Sequence, residues 1–153
     1  MEKFYLGSKL VQAWPAVRIT TRDGKFEYAE IGDVVDPNAQ KVEEGYRVQY
    51  DDGYRSWSPK AVFERSYRPT TGLSFGLAIE AMKMGRAVAR EGWNGKGIHL
   101  KLQVPDEHSK ITLPYIYIVT SGLITDNPKA PKGCVPWLAS QTDMLADDWY
   151  IVE

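Results

Sequence analysis

Two short segments of this 153-residue chain concentrate residues that could recognise a ligand. The first, GWNGKG at 92–97, places Trp93 and Asn94 between glycines, which let backbone N–H groups approach a ligand closely. An indole offers a flat stacking face, and an amide both donates and accepts hydrogen bonds. Arg90, just before the turn, carries a fork of donors that suits a phosphate. The alternative interpretation is a tight turn with Trp93 folded onto a sheet.

The second segment is VPWLASQTDMLADDW at 135–149. Residues 140–143 have the form of a capping box closed by Asp, which gives Asp143 a structural interpretation. The first turn of a helix also attracts anions through its unpaired N–H groups and its dipole. Trp137 and Gln141 add a stacking group and a hydrogen-bonding group beside that turn. Together the two segments suit a ligand with phosphates, hydroxyls and an aromatic base, that is, a nucleotide.

Signals for catalysis are weaker. The two histidines and Cys134 lack metal-ligand spacing, and the sequence has no P-loop, dinucleotide fingerprint or nucleophile elbow. Asp143 and Asp147 lie four residues apart and could share a helix face that coordinates a metal, although a charged helix surface is the simpler interpretation. A metal-dependent nucleotide hydrolase and a protein-interaction module therefore remain alternatives to a non-catalytic nucleotide-binding protein.

The composition narrows the class of protein. The 19 basic and 20 acidic residues are nearly balanced, which argues against an electrostatic nucleic-acid binder. Cys134 is the single cysteine, so an internal disulfide is excluded and a reducing compartment is expected. No signal-peptide pattern and no apolar run long enough to span a bilayer are present, so we expect a cytosolic protein without a membrane partner.

The elements around these segments predict an α+β unit over 74–153, with a helix followed by a mainly antiparallel sheet. Ser74 is a candidate cap for a helix whose apolar residues recur every three or four positions, and Gly85 suits its left-handed end. A second short helix is predicted over 141–147. Strands are predicted at 86–91, 98–104, 113–119 and 149–152, with 113–119 central and Trp149 in the core.

Residues 1–70 predict a smaller extension, a hairpin at 45–57 followed by a short helix. Asp52 and Gly53 would supply left-handed conformations for the hairpin turn. Ser58 and Pro59 then have the form of an N-cap and a first helical residue.

The rest of this extension is less informative. A further strand is expected at 8–14, and the polar stretch 20–44 cannot be assigned. The segment RPTTGL at 68–73 has the composition of a linker.

Residues 74–153 resemble the Thoeris anti-defence 2 family of small phage proteins, through SFGLAIEAMKMGRAVAREGWNGKG and VPWLASQTDMLADDW in the expected order. The resemblance implies a homo-oligomer, such as a tetramer, that acts as a sponge in the cytoplasm of the infected bacterial host. Its ligand would be a glycocyclic ADP-ribose-type signal molecule, an isomer of cyclic ADP-ribose that triggers Thoeris immunity. The resemblance implies sequestration without cleavage, and neither a cofactor nor a metal.

Carried over residue by residue, the resemblance also implies a ligand site. Its foremost contacts would be Trp93, Asn94, Gln141 and Asp143, with Arg90 and Trp137 as secondary contacts. The first seventy residues go beyond the smallest family members, and they could add a binding surface, assist assembly or serve as a scaffold.

Overall fold

The computed structural model describes residues 8–35 and 37–152 and divides into two compact units, Met1–Arg68 and Pro69–Glu153. The predicted α+β class with mainly antiparallel strands is confirmed, because both units have antiparallel sheets and few helices. The predicted order, with a helix first, is wrong for the chain, since four strands precede the first helix and strands dominate. Within the described residues, none of the helices is both long and apolar enough to cross a bilayer.

The first unit contains a four-stranded sheet with the order β2-β1-β3-β4. Its elements are β1 (Gln12–Thr20), β2 (Phe26–Ala29), β3 (Lys41–Gln49), β4 (Arg55–Pro59) and helix α1 (Lys60–Ser66). The predicted hairpin and helix are present as β3, β4 and α1, and β1 and β2 extend the hairpin to a four-stranded sheet. The unassigned stretch 20–44 contributes β2 and the start of β3, because cross-strand pairing with β1 stabilises a strand of only four residues and the mostly polar residues 41–44.

Two local predictions for this unit are wrong. Helix α1 begins at Lys60 after Pro59, and Ser58 pairs with Tyr46 inside the sheet, so the Ser58 hydroxyl does not cap the helix. At the hairpin turn only Gly53 is left-handed, with φ of 82°. The Asp52 carboxylate instead accepts a hydrogen bond from the backbone N–H two residues later. The strand expected at 8–14 begins at residue 12 and is longer than predicted.

The second unit packs helix α2 (Phe75–Lys83) on a five-stranded sheet with the order β8-β7-β6-β5-β9. Its strands are β5 (Ala87–Arg90), β6 (His99–Gln103), β7 (Tyr115–Val119), β8 (Cys134–Pro136) and β9 (Trp149–Val152), with helix α3 (Gln141–Met144) before the last. Strand β6 is central, whereas β7, predicted to be central, lies between β6 and β8. Helix α3 ends at residue 144, earlier than predicted.

The core of this unit lies between α2 and the sheet. The predicted ends of α2 are confirmed, since the Ser74 side chain accepts a hydrogen bond from the Leu77 N–H and Gly85 has φ of 81°. Trp149 is fully buried, as predicted, and packs with the buried aliphatic residues of α2, β5 and β6. Its indole occupies the end of the core from which both ligand-like segments emerge.

Candidate functional site

One carboxylate joins the two ligand-like segments. The Trp93 indole N–H donates to Asp143 Oδ1 at 3.0 Å, and Arg90 Nη1 donates to the same oxygen at 2.9 Å. These bonds connect the 92–97 turn and the end of β5 to helix α3, fifty residues further along the chain. The structure therefore brings together three of the predicted site residues at a single atom.

The second oxygen of Asp143 closes the predicted capping box. Oδ2 accepts hydrogen bonds from the Ser140 backbone N–H at 3.1 Å and from the Ser140 hydroxyl at 2.6 Å, and Ser140 Oγ accepts from the Asp143 N–H at 3.1 Å. The capping box is thus confirmed. Four donors reach the two carboxylate oxygens, which is about the number that a carboxylate can accept. The Asp143 carbonyl also accepts from the Trp149 indole N–H at 3.0 Å.

Arg90 has a second carboxylate partner that the sequence did not reveal. Its Nε donates to Asp148 Oδ1 at 2.7 Å and its Nη2 donates to Asp148 Oδ2 at 3.2 Å, a bidentate pair. The Gly92 N–H donates to the same Oδ2 at 2.9 Å. Antiparallel pairing of β5 with β9 sets Arg90 opposite Trp149 and so puts Asp148 beside the arginine. Asp148 is recognisable as a partner of Arg90 only from this register, because the spacing of residues along the sequence gives no sign of the contact.

The hydrogen bonds of this cluster keep the Asp143 carboxyl ionised. Burial raises the pKa of its carboxyl, but hydrogen bonds from Ser140, Trp93 and Arg90 outweigh burial and lower the pKa from 3.8 to about 2. The side chains of Arg90 and Asp143 are only 11% and 13% exposed. A depressed carboxyl pKa stabilises the fold above the unfolded value and ceases to do so as the pH falls through the folded value.

We therefore predict that acid lowers the stability of the wild-type protein more than that of a variant without the Asp143 carboxyl. Between about pH 4 and pH 2 the wild-type protein should lose about 1–2 kcal/mol more free energy of unfolding than Asp143→Asn, which has no carboxyl to protonate. Urea titrations followed by fluorescence at several pH values measure this difference. Asp126→Asn removes the same charge from an exposed loop and should keep the wild-type pH profile. Parallel profiles for wild type and Asp143→Asn would contradict the prediction.

Four aromatic rings pack around this cluster. Phe75, Trp93, Trp137 and Trp149 have ring centroids 5.2–6.1 Å apart for the contacting pairs, mostly edge to face. Trp93 is half-buried and folds onto the core, as in the alternative interpretation of its turn. Ligand contact through the remaining exposed surface of Trp93 and Trp137 stays a prediction.

Close backbone contacts fix the 92–97 turn. Asn94 and Gly95 do not have positive φ, whereas Gly97 does, at 81°. A Cβ on Gly97 would overlap the Gly122 carbonyl, and the Ile124 N–H donates to the Lys96 carbonyl at 2.9 Å. The turn is therefore held on both sides, by Asp148 at Gly92 and by the 121–124 segment at Gly97.

Two predicted site residues expose unused hydrogen-bonding groups. Asn94 and Gln141 are exposed, and their side-chain amides bond to no other residue of the described chain. Asn94 directly follows Trp93, and Gln141 begins α3 two residues before Asp143. Each is therefore close in sequence to one of the two residues joined by the Trp93–Asp143 hydrogen bond, and its amide forms no bond within the described protein.

The surroundings of Asp143 do not favour the metal alternative. Hydrogen-bond donors from Arg90, Trp93 and Ser140 already occupy both of its oxygens, so few lone pairs remain to coordinate a divalent cation. Asp147, its proposed partner, is exposed, and the neighbouring Asp148 is the one that enters the cluster. Across residues 8–35 and 37–152, no group of three or more His, Cys, Asp or Glu side chains is arranged to hold a metal ion.

Comparison with known proteins matches the part of the chain that contains this site. Residues 73–152 fit a family model described as Tad2-like, the Thoeris anti-defense 2-like domain. A curated relative named Thoeris anti-defense 2, from Bacillus phage SP01, is 40% identical over 86 residues, which cover 54% of this chain and 97% of that relative. Both ligand-like segments and helix α2 lie inside the matched range. The resemblance found in the sequence is confirmed, and the chain belongs to the Thoeris anti-defense 2-like family.

Proposed function

We propose that this chain is a phage anti-Thoeris protein that captures a cyclic ADP-ribose-type signal nucleotide in the host cytoplasm and holds it without cleaving it. Family membership over 73–152 supports the anti-Thoeris role. The observation that carries the binding role is the Trp93–Asp143 hydrogen bond, because it fixes the 92–97 turn against α3, and each of these segments contains an exposed amide without a partner in the described protein.

The six predicted site residues divide into two roles in this proposal. Asn94 and Gln141 contact the ligand, since their amides are exposed and unused, and the outer surfaces of Trp93 and Trp137 offer stacking area for a base. Asp143 is a positioning residue, because protein donors already occupy its oxygens.

Arg90 combines both roles. Three of its five N–H donors bind the Asp143 and Asp148 carboxylates, so two remain for a phosphate. The two carboxylates orient the guanidinium plane before any ligand arrives. An arginine fixed in this way recognises phosphate with little loss of side-chain freedom.

The low pKa of Asp143 makes it unsuited to act as a general base. An efficient general base has a pKa near the working pH, whereas the Asp143 carboxyl has a pKa of about 2 and is a poor proton acceptor at neutral pH. Its role in orienting Trp93 and Arg90 would also be lost on protonation. A metal-dependent hydrolase remains the alternative that the experiment below distinguishes.

We also propose that the ligand site is enclosed by self-association. Leu138 and Leu145 flank α3 and are 90% and 80% exposed, and Met144 is exposed between them. Nanomolar capture corresponds to about 12 kcal/mol, which a nucleotide-sized ligand reaches only in a preformed site that excludes water. A second copy packed on this apolar surface would bury it and exclude water from the site.

Capture and release test the proposal. The purified protein is incubated with extract from cells that make the Thoeris signal, washed by filtration, and heat-denatured, and the released small molecules are identified by mass spectrometry. We expect an intact cyclic nucleotide in stoichiometric amount, with or without a metal chelator. Accumulation of a cleaved product that the chelator abolishes would establish the hydrolase instead, and release of no nucleotide would exclude both.

Matched variants locate the site in the same assay. Asn94→Ala and Gln141→Ala should each weaken capture about 5- to 10-fold, the loss of one hydrogen bond, with unchanged melting temperatures because neither amide bonds within the protein. Asp147→Asn is the control, since it lies beside the site but outside the Arg90 cluster, and it should capture like wild type. Normal capture by the Asn94 and Gln141 double variant would contradict the proposed site.

A further inference from the structure

We infer that the first unit binds single-stranded nucleic acid through one face of its sheet, independently of the proposed nucleotide capture. Residues directly opposite in antiparallel pairs share a face, and the pairs Arg18–Tyr28, Trp14–Arg47 and Arg47–Trp57 therefore point the same way. Helix α1 covers the opposite face, where Tyr46 stacks on Phe63 at 4.2 Å. The side without the helix is called here the arginine–aromatic face and comprises Trp14, Arg18, Tyr28, Arg47, Arg55 and Trp57.

Guanidinium groups and aromatic rings alternate across this face. Arg18 lies 4.0 Å from the Trp57 ring centroid and 4.6 Å from that of Phe26, in a sandwich. Arg47 lies 4.0 Å from the Tyr28 centroid. Arg55 lies 5.9 Å from the Trp14 centroid. Such contacts hold the guanidinium planes in place while leaving their edges available for hydrogen bonds.

The charge of this face differs from that of the whole chain. Net charge is −1 overall, but Glu44 and Glu64 lie on the helix-covered side, where they bind Lys60 and Tyr46. The arginine–aromatic face carries Glu43, which is already paired with Arg18 at 2.7 Å and with Lys41 at 2.8 Å. The nearly balanced charge of the whole chain therefore does not describe the electrostatic potential at the arginine–aromatic face.

Two cations on this face keep an uncompensated charge. In the described part of the chain, no carboxylate lies within ion-pair distance of Arg47 or Arg55. Arg55 Nε donates to the neutral Gln49 amide oxygen at 2.8 Å. Both guanidinium groups thus remain available for an anionic partner.

Exposed rings beside these cations favour a partner with planar groups. Trp14, Tyr28 and Phe26 are between 37% and 54% exposed. Trp14 lies four residues along β1 from Arg18, the partner of Tyr28, so the rings spread over roughly 13 Å or more of the sheet. Single-stranded nucleic acid matches both features, because its phosphates pair with guanidinium groups and successive bases stack on aromatic side chains.

Other occupants fit less well. A duplex keeps its bases stacked inside, so it could use the arginines but not the rings. An acidic peptide would likewise leave the rings without planar partners. A second copy of this chain, packed face to face, would bring the uncompensated guanidinium charges of both copies into one interface.

Fluorescence anisotropy tests the inference with the full chain and labelled single-stranded oligonucleotides of about twelve nucleotides. At low salt we expect binding that weakens with salt, with a log–log slope of about −1.4 to −2.1 for two or three phosphate contacts. Trp14→Ala should weaken binding about 10-fold, whereas Trp14→Phe, which keeps a ring, should stay near wild type. The duplex of the same sequence should bind less tightly.

Charge-matched variants separate this face from the rest of the chain. Arg55→Gln should reduce the magnitude of the salt slope by about 0.7, one phosphate contact, whereas Arg65→Gln on exposed α1 should leave it unchanged. Asn94→Ala should bind the oligonucleotide like wild type, because it belongs to the other unit.

Three results would overturn the inference. The first is the absence of oligonucleotide binding at protein concentrations of the order of 100 μM in low salt. The second is equal competition by polyglutamate and oligonucleotide, which would indicate an acidic protein partner. The third is self-association, measured by light scattering, that Trp14→Ala abolishes.

Discussion

Arg90→Met is expected to lower the free energy of unfolding by about 2–3 kcal/mol, because the Arg90 cluster is partly buried and its loss should cost more than an exposed ion pair and less than a fully buried one. The substitution leaves the Asp143 and Asp148 carboxylates close together without their shared cation. It also removes the guanidinium that ties β5 to α3. Urea denaturation followed by tryptophan fluorescence measures the loss.

The control for this prediction is Lys83→Met, which breaks an exposed ion pair with Glu80 on the outside of α2. Its effect should stay within about 1 kcal/mol, as is usual for exposed pairs. Arg90→Lys should fall between the two, because an ammonium keeps the charge but loses the bidentate geometry. Equal stabilities for Arg90→Met and Lys83→Met would show that the cluster contributes little to the fold.

Gly97→Ala is expected to cost about 2–4 kcal/mol, from two separate causes. Its φ of 81° disfavours any residue with a Cβ by about 1–2 kcal/mol. The added Cβ would also overlap the Gly122 carbonyl, so the turn and the 121–124 segment would have to separate. Thermal or urea unfolding gives the magnitude, and capture of the signal should weaken because the turn carries Trp93 and Asn94.

Gly85→Ala isolates the first of these causes. Gly85 has the same φ of 81°, in the same unit, and a Cβ added there would meet no other atom within 4 Å. We expect this substitution to cost only the backbone contribution. A Gly97→Ala variant that is no less stable than Gly85→Ala would mean that the two segments are not held in close contact.

Local patterns are sufficient to predict the elements that depend on neighbouring residues. The cap at Ser74, the left-handed Gly85 and the box formed by Ser140 and Asp143 are each defined within a few residues, and each is confirmed. The order of strands is not predictable in this way. Strand β2 has only four residues and the start of β3 is mostly polar, so their pairing with β1 becomes evident only in the folded sheet.

In the candidate site, likewise, the sequence indicates individual residues but not the long-range contacts between them. Residue type and family resemblance select Arg90, Trp93 and Asp143 separately, but they do not pair these residues. The contacts among them span fifty or more residues and follow from the register of β5 with β9. Asp148 escapes prediction for this reason, since its neighbour Asp147 has the better helical spacing from Asp143 but the wrong position in the fold.

The fully occupied Asp143 carboxylate has a consequence for the entropy of binding. Four hydrogen bonds already fix its rotamer and, through it, the orientation of the Trp93 ring and the Arg90 plane. A ligand arriving at this surface would immobilise few side chains beyond the two exposed amides, at roughly 0.5–1.5 kcal/mol each. Association should therefore carry a small conformational entropy penalty, which makes the total binding entropy measured by titration calorimetry less unfavourable.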